Sequence, residues 1–140
     1  MTTSEHIVRE EGPVTLLGGG EVFAGDIEAA LALAPTCVAA DSGAAVGVAA
    51  GVELAAVIGD LDSAPAEVLA QTPAARRHRI AEQESTDFDK ALTRIDAPLV
   101  LGVGFTGARL DHQLAAFNTL ATHPHRSCIL LGAHEIVLLA

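Results

Sequence analysis

An α/β domain with a mostly parallel sheet and helices on both faces is predicted by three observations. Short apolar runs alternate with helical patterns along almost the whole chain, the mark of successive strand–helix–strand units. The runs are continuously apolar instead of alternating, so each strand expects cover on two sides. At 140 residues the chain is long enough to bury about two thirds of its surface around one core.

The elements follow in order. Residues 14–17 read as a strand that stops at Gly18-Gly19-Gly20. Asp26 is placed to cap a helix running to residue 33, which Pro35 ends. A second strand covers 36–40, an Ala/Gly/Val helix 43–50, and a third strand 54–58. Pro65 opens a helix over 65–70, the position proline favours. Residues 76–81 form a more polar strand, suited to a sheet edge. Ser85 or Thr86 caps a helix over 87–95 whose first turn is acidic, as the helix dipole favours. A strand at 98–103, a helix at 110–121, a strand at 127–131 and an extended run at 135–139 complete the pattern. The sum is a three-layer, Rossmann-like arrangement. Residues 1–12 are polar and expected to be a flexible leading segment, with 13–140 as the folded unit.

Composition excludes several classes. Hydrophobic residues make up 50% of the chain, enough to offset chain entropy, so disorder is not expected. Eighteen acidic residues against eight basic ones give a net charge of −10, a surface that repels nucleic acid and anionic lipid. The Ala-rich stretch 27–59 is broken by Glu28, Pro35, Asp41 and Glu53 and does not read as a membrane span. Cys37 and Cys128 each sit inside an apolar run, where free buried thiols of a reduced, cytoplasmic protein are expected.

The polar residues that carry chemistry are grouped. Gly18 to Gly20, Asp41, Asp60 with Asp62, Glu82 to Asp87, and Gly107 to His112 each fall just after a predicted strand. In an open parallel sheet those positions share the carboxyl edge, where ligands bind. Gly59-Asp60-Leu61-Asp62-Ser63 delivers two acids after an apolar strand. An Asx turn or a helix cap accounts for Asp62 or Ser63 alone, but not for Asp60 at the strand end. In Glu82-Gln83-Glu84-Ser85-Thr86-Asp87-Phe88-Asp89-Lys90, Asp89 reads as structural and Lys90 as part of a solvated helix face, while Asp87 points to the shared edge. Convergence of Asp41, Asp60, Asp62 and Asp87 within a few ångströms would cost about 4 kcal/mol per close pair at an effective dielectric near 20. Such a group either keeps some protons or holds a hard cation. All-oxygen ligation favours Mg²⁺, Mn²⁺ or Ca²⁺ over zinc, and an incomplete shell suits Mg²⁺ completed by substrate phosphates.

Opposite charge comes from Gly104-Phe105-Thr106-Gly107-Ala108-Arg109-Leu110-Asp111-His112. Glycines, Arg109 and a helix start together form a seat for phosphate oxygens. The plainer alternatives are a surface ion pair for Arg109 and helix capping for Asp111 and His112. Two rival motifs are weaker. Gly102-Val103-Gly104-Phe105-Thr106-Gly107 matches the dinucleotide fingerprint, yet no acid follows between Asp111 and Glu135. Asp60-Leu61-Asp62 is similar to the nucleophile motif of haloacid dehalogenase-type phosphatases, but Ala64 stands where Thr or Val belongs.

Four stretches in order resemble the thiamine pyrophosphokinase family: Ala40-Asp41-Ser42-Gly43-Ala44, Gly59-Asp60-Leu61-Asp62-Ser63, Ser85-Thr86-Asp87-Phe88-Asp89-Lys90-Ala91-Leu92, and Gly107-Ala108-Arg109-Leu110-Asp111-His112. Glu82-Gln83-Glu84 replaces the family's usual Asp-Gln-Asp. The resemblance implies a catalytic domain with magnesium on Asp60, Asp62 and Asp87, Asp41 nearby, and Arg109 among the catalytic groups. It implies ATP contacts from Gly19, Gly20, Gln83, Ser85, Thr86, Lys90, Gly107, Arg109, Asp111 and His112. It further implies attack of the thiamine hydroxyl on the β-phosphorus of ATP with release of AMP, and a homodimer. The family's β-rich C-terminal, thiamine-binding domain is expected to be absent from this chain. The alternative to an enzyme is a nucleotide-binding or dimerising module left without activity.

Overall fold

The structure, a computed structural model, describes residues 6–23, 25–62, 64–107 and 109–139. Ser63, weighed above as a cap, Ala108 of the last motif and residues 1–5 of the leading segment lie outside the described residues. The elements run β1 (Val8–Arg9), β2 (Val14–Leu17), α1 (Asp26–Leu33), β3 (Thr36–Ala40), α2 (Gly43–Ala49), β4 (Ala56–Gly59), α3 (Ala66–Leu69), a 3₁₀ turn (Ala74–Arg76) and β5 (Arg77–Arg79). They continue with α4 (Asp87–Leu92), β6 (Ile95–Asp96), β7 (Val100–Val103), α5 (Leu110–Thr122), β8 (Cys128–Leu131) and β9 (Ile136–Leu138).

Seven strands form one sheet in the order β5-β4-β3-β2-β7-β8-β9. Every pair in it is parallel except β8 with β9. The fold is therefore mixed α/β on a mostly parallel sheet. Strands β2, β4 and β7 are buried along their whole length and β3 from Cys37 onward, which is why their sequences are almost entirely apolar. The polar β5 lies at the edge, as its composition predicts. Alternate strand residues feed two separate apolar clusters. Leu16, Val38, Ile58 and Leu130 pack with Phe88 of α4 and Ala116 and Leu120 of α5. Leu17, Cys37, Ala39 and Val57 pack with Ile27 and Ala30 of α1 and Ala44 of α2.

Three local readings need correction. Asp26 is the first residue of α1 and not its cap; Gly25 precedes it in the left-handed region, and the Asp26 carboxylate accepts the Phe23 N–H at 3.1 Å. Helix α4 stops at Leu92, short of Ile95, because Ile95 and Asp96 pair with Val8 and Arg9 in a small parallel sheet. Arg126 fixes that exit by donating to the carbonyls of Ile95 (2.6 Å) and Thr93 (3.0 Å). Lys90 does not lie on a solvated face: it is 2% exposed, beside Phe88, Ala91 and Leu92 on the buried side of α4.

Both thiols are buried and reduced. Burial pushes each pKa up to about 12, since a thiolate is poorly solvated there. Neither Cys37 nor Cys128 should react with iodoacetamide in the native protein at pH 8; mass spectrometry with and without denaturant checks this. Among the described residues, no helix is long and apolar enough to cross a membrane.

Candidate active site

The sheet reverses its direction of growth at β2, with β3 on one side and β7 on the other. That reversal opens a crevice beyond the carboxyl ends of the strands. The two loops that flank it are locked together. Gly18 N–H donates to Val103 O at 2.7 Å and Gly20 N–H to Gly104 O at 2.8 Å. Gly104 has φ +90°, and a Cβ there would meet Gly18 O at 2.4 Å, so the close approach depends on glycine.

A cleft of about 450 Å³ occupies this edge, within the usual range for a small-molecule site. Gly19, Gly20, Asp60, Gln83, Ser85, Thr86, Asp87, Lys90, Arg109 and His112 line it. These residues come from four widely separated stretches, and all were singled out from sequence. Ser42, Phe105 and Thr106 also line the cleft and were missed. Phe105 packs on Phe88, ring centroids 4.5 Å apart; its place in the Gly104–His112 motif was the available signal.

At the head of the cleft, Asp41, Asp60 and Asp87 each offer an oxygen within 4.8 Å of the others. Asp41 follows β3, is 1% exposed and has φ 44°. Asp60 follows β4, and Asp87 opens α4. Thr86 caps that helix, its hydroxyl accepting the Asp89 N–H at 3.1 Å. Asp62 lies outside this group. Its backbone N–H donates to Asp60 Oδ1 at 3.0 Å, while its exposed carboxylate stands 3.7 Å from Arg79. Leu61 between them has φ 67°, an unfavourable region for a branched side chain.

The electrostatics reflect the crowding. The Asp62 N–H, above other contacts, holds Asp60 below the usual carboxylate range. Asp87 is pushed up, first by burial and then by the negative charge of Asp60. The donor set is all oxygen, which favours Mg²⁺, Mn²⁺ or Ca²⁺ over zinc.

The surrounding groups are tied down. Gln83 Nε2 reaches Asp60 Oδ2 at 3.4 Å. Glu82 is held low chiefly by the Ser85 hydroxyl, and it also accepts the Glu84 N–H at 2.7 Å and the Ser85 N–H at 3.1 Å. Glu82 thus shapes the loop that presents Ser85 and Thr86. Asp89 is structural as read: its Oδ1 lies 2.6 Å from His123 Nε2, joining α4 to the end of α5. Arg109 forms a two-point pair with Asp111 (3.1 and 2.6 Å), both side chains exposed. That guanidinium holds Asp111 below its ordinary value. Gly107, with φ +98°, donates its N–H to Gln113 at 3.1 Å, on the outer side of the same loop.

Comparison with known proteins bears on this site. The family model described as "Thiamin pyrophosphokinase, catalytic domain" matches residues 27–131, a span that holds all three clustered acids, Lys90 and Arg109. A comparison with curated protein sequences returns no match. Among solved structures, the chain is similar to thiamin pyrophosphokinase from Geobacillus thermodenitrificans, with 26% identity and a TM-score of 0.68 over 85% of this chain and 59% of that one. It shares its fold with the Candida albicans enzyme (TM-score 0.73, 13% identity, 97% of this chain and 65% of that). The yeast enzyme gives a TM-score of 0.73 at 15% identity, over 96% of this chain and 63% of that. The chain thus spans 59% to 65% of the length of these relatives. With the family model covering most of its length and the motif acids gathered at one cleft, the chain belongs to the thiamin pyrophosphokinase catalytic-domain family.

Proposed function

We propose that this chain carries the transfer of a diphosphate group from ATP to the hydroxyl of thiamine, giving thiamine diphosphate and AMP. The observation that carries the reading is the group of three carboxylates within 4.8 Å at the sheet's carboxyl edge, in a cleft that also holds Lys90 and Arg109. The thiamine hydroxyl oxygen bonds to the β-phosphorus, the bond from that phosphorus to the α–β bridging oxygen breaks, and AMP leaves with the oxygen. The hydroxyl proton passes to a carboxylate of the cluster.

Asp60 and Asp87, with Asp41 beside them, hold the ion in this reading. Asp62 joins from the rim, since an exposed pair at 3.7 Å with Arg79 is worth about 1 kcal/mol at most and yields to ligation. Magnesium supplies charge neutralisation of the phosphate oxygens when bound. The chain's own residues do the positioning on which phosphoryl transfer depends. Gly19 and Gly20 bring backbone close to the nucleotide, Ser85 and Thr86 offer hydroxyls, and Lys90, Arg109 and His112 meet phosphate. Gln83 orients Asp60, while Gly107 and Asp111 set the loop that carries Arg109.

Residues 13–140 act as the nucleotide- and metal-binding unit, in a three-layer, Rossmann-like arrangement supported by the two apolar clusters drawn from alternate strand residues. Exposed Leu110, Leu114, Ile136 and Leu138 favour a homodimer, and the buried free thiols favour a cytoplasmic setting. A phosphatase or an inactive module is not favoured, since the family model that matches residues 27–131 is that of the thiamin pyrophosphokinase catalytic domain. The test is AMP release from Mg-ATP with and without thiamine. Thiamine-dependent AMP is expected; inorganic phosphate in its place, or no thiamine dependence, removes the reading.

A further inference from the structure

The most unusual side chain of the cleft is Lys90. It is the largest fully buried side chain among the described residues, and it sits on the six-residue helix α4 one turn beyond Asp87. It is buried, as are Phe88, Ala91 and Leu92 of the same helix, and it lines the cleft, the usual way a long cation buries its methylenes and keeps its charge polar. Lys90 shares that cleft with Asp60 and Asp87, so its charge acts on more than one acid.

We propose that Lys90 is a built-in counter-cation of the Asp41–Asp60–Asp87 cluster, which keeps its affinity for a bare divalent ion low and makes the ion bind together with nucleotide phosphates. This rests on the metal site proposed above. With the three acids ionised, their charge is −3, and Lys90 brings the group to −2. A fixed positive charge about 6 Å from a divalent ion weakens its binding by about tenfold even at the dielectric of water. The same charge attracts phosphate, so Lys90 disfavours the lone ion and favours the ion–nucleotide pair. The family resemblance implies a nucleotide contact for Lys90; its influence on the metal is a separate role.

The test is Mn²⁺ binding to the nucleotide-free protein, read by electron paramagnetic resonance, in the native chain and in Lys90→Met, Lys90→Gln, Lys90→Arg and Asp60→Asn. Lys90→Met should bind Mn²⁺ about tenfold more tightly and ATP·Mg about tenfold more weakly, with Lys90→Arg near native in both. Lys90→Gln reports the same loss of charge if the methionine variant does not fold. Unchanged or weaker Mn²⁺ binding in both neutral variants, with binding still lost in Asp60→Asn, overturns the role of Lys90 alone. Mn²⁺ binding that Asp60→Asn leaves intact overturns the metal site, and the proposal with it.

Discussion

Asparagine at position 60 or 87 should lower thiamine-dependent AMP release by about 100- to 1,000-fold, the scale on which removal of one fixed electrostatic contact slows a charged transition state. The fold should not suffer. Asp41, Asp60 and Asp87 present oxygens within 4.8 Å of one another, and Asp87 is already pushed up by burial and by Asp60. Removing the Asp87 charge relieves repulsion, so thermal unfolding of Asp87→Asn should stay level or rise while activity falls. That opposition separates a functional carboxylate from a structural one. A melting temperature that falls together with the rate would instead make these acids part of the scaffold. Asp62→Asn extends the test to the rim. Its turnover should also drop by orders of magnitude, since the weak contact with Arg79 leaves Asp62 available to the ion; an unaffected rate confines the shell to the three clustered acids.

Much of this was legible in the sequence, for definable reasons. Strands β2, β4 and β7 are buried at every position and β3 at all but its first, so their apolar runs could be read without any tertiary knowledge. The carboxyl-edge rule then placed Asp41, Asp60 and Asp87 together, because topology alone fixes which loop ends share a side of the sheet. The misses share a different cause. The β1–β6 pairing involves two residues on each side, too few to show a period. The end of α4 is set by that pairing and by Arg126, which is distant in sequence. Lys90 looked like a surface residue because a lysine after three acids usually is one; its burial follows from how closely α4 lies on β3 and β4. The choice of Asp41 over Asp62 in the cluster follows from left-handed backbone at Asp41 and Leu61, which no residue-type preference at those positions announces.

Replacing Gly43 with alanine should be the most damaging conservative change outside the cleft. In an exposed helix, Gly→Ala stabilises by about 1 kcal/mol. Here the added Cβ would lie 2.0 Å from Leu17 O, 2.6 Å from Leu17 C and 3.1 Å from Gly18 Cα. These are backbone atoms of β2 and its glycine loop, which no rotamer change can move. Leu17 pairs with Ala39 on one side and Val103 on the other, so the strand cannot retreat, and α2 must. A loss of about 3 kcal/mol or more is expected, or roughly 10 °C in melting temperature for a chain of this size. Gly12→Ala is the matched control, because a Cβ there meets nothing within 4 Å; its effect should stay within about 0.5 kcal/mol. The damage should also reach function. Helix α2 begins two residues after Asp41, and Ala44 N–H donates to Asp41 O at 3.0 Å, so displacing the helix shifts the innermost acid of the cluster. Gly43→Ala protein that remains folded at low temperature should therefore bind Mn²⁺ more weakly than native protein at that temperature. Native metal affinity in that folded variant would show that Asp41 is positioned by β3 alone.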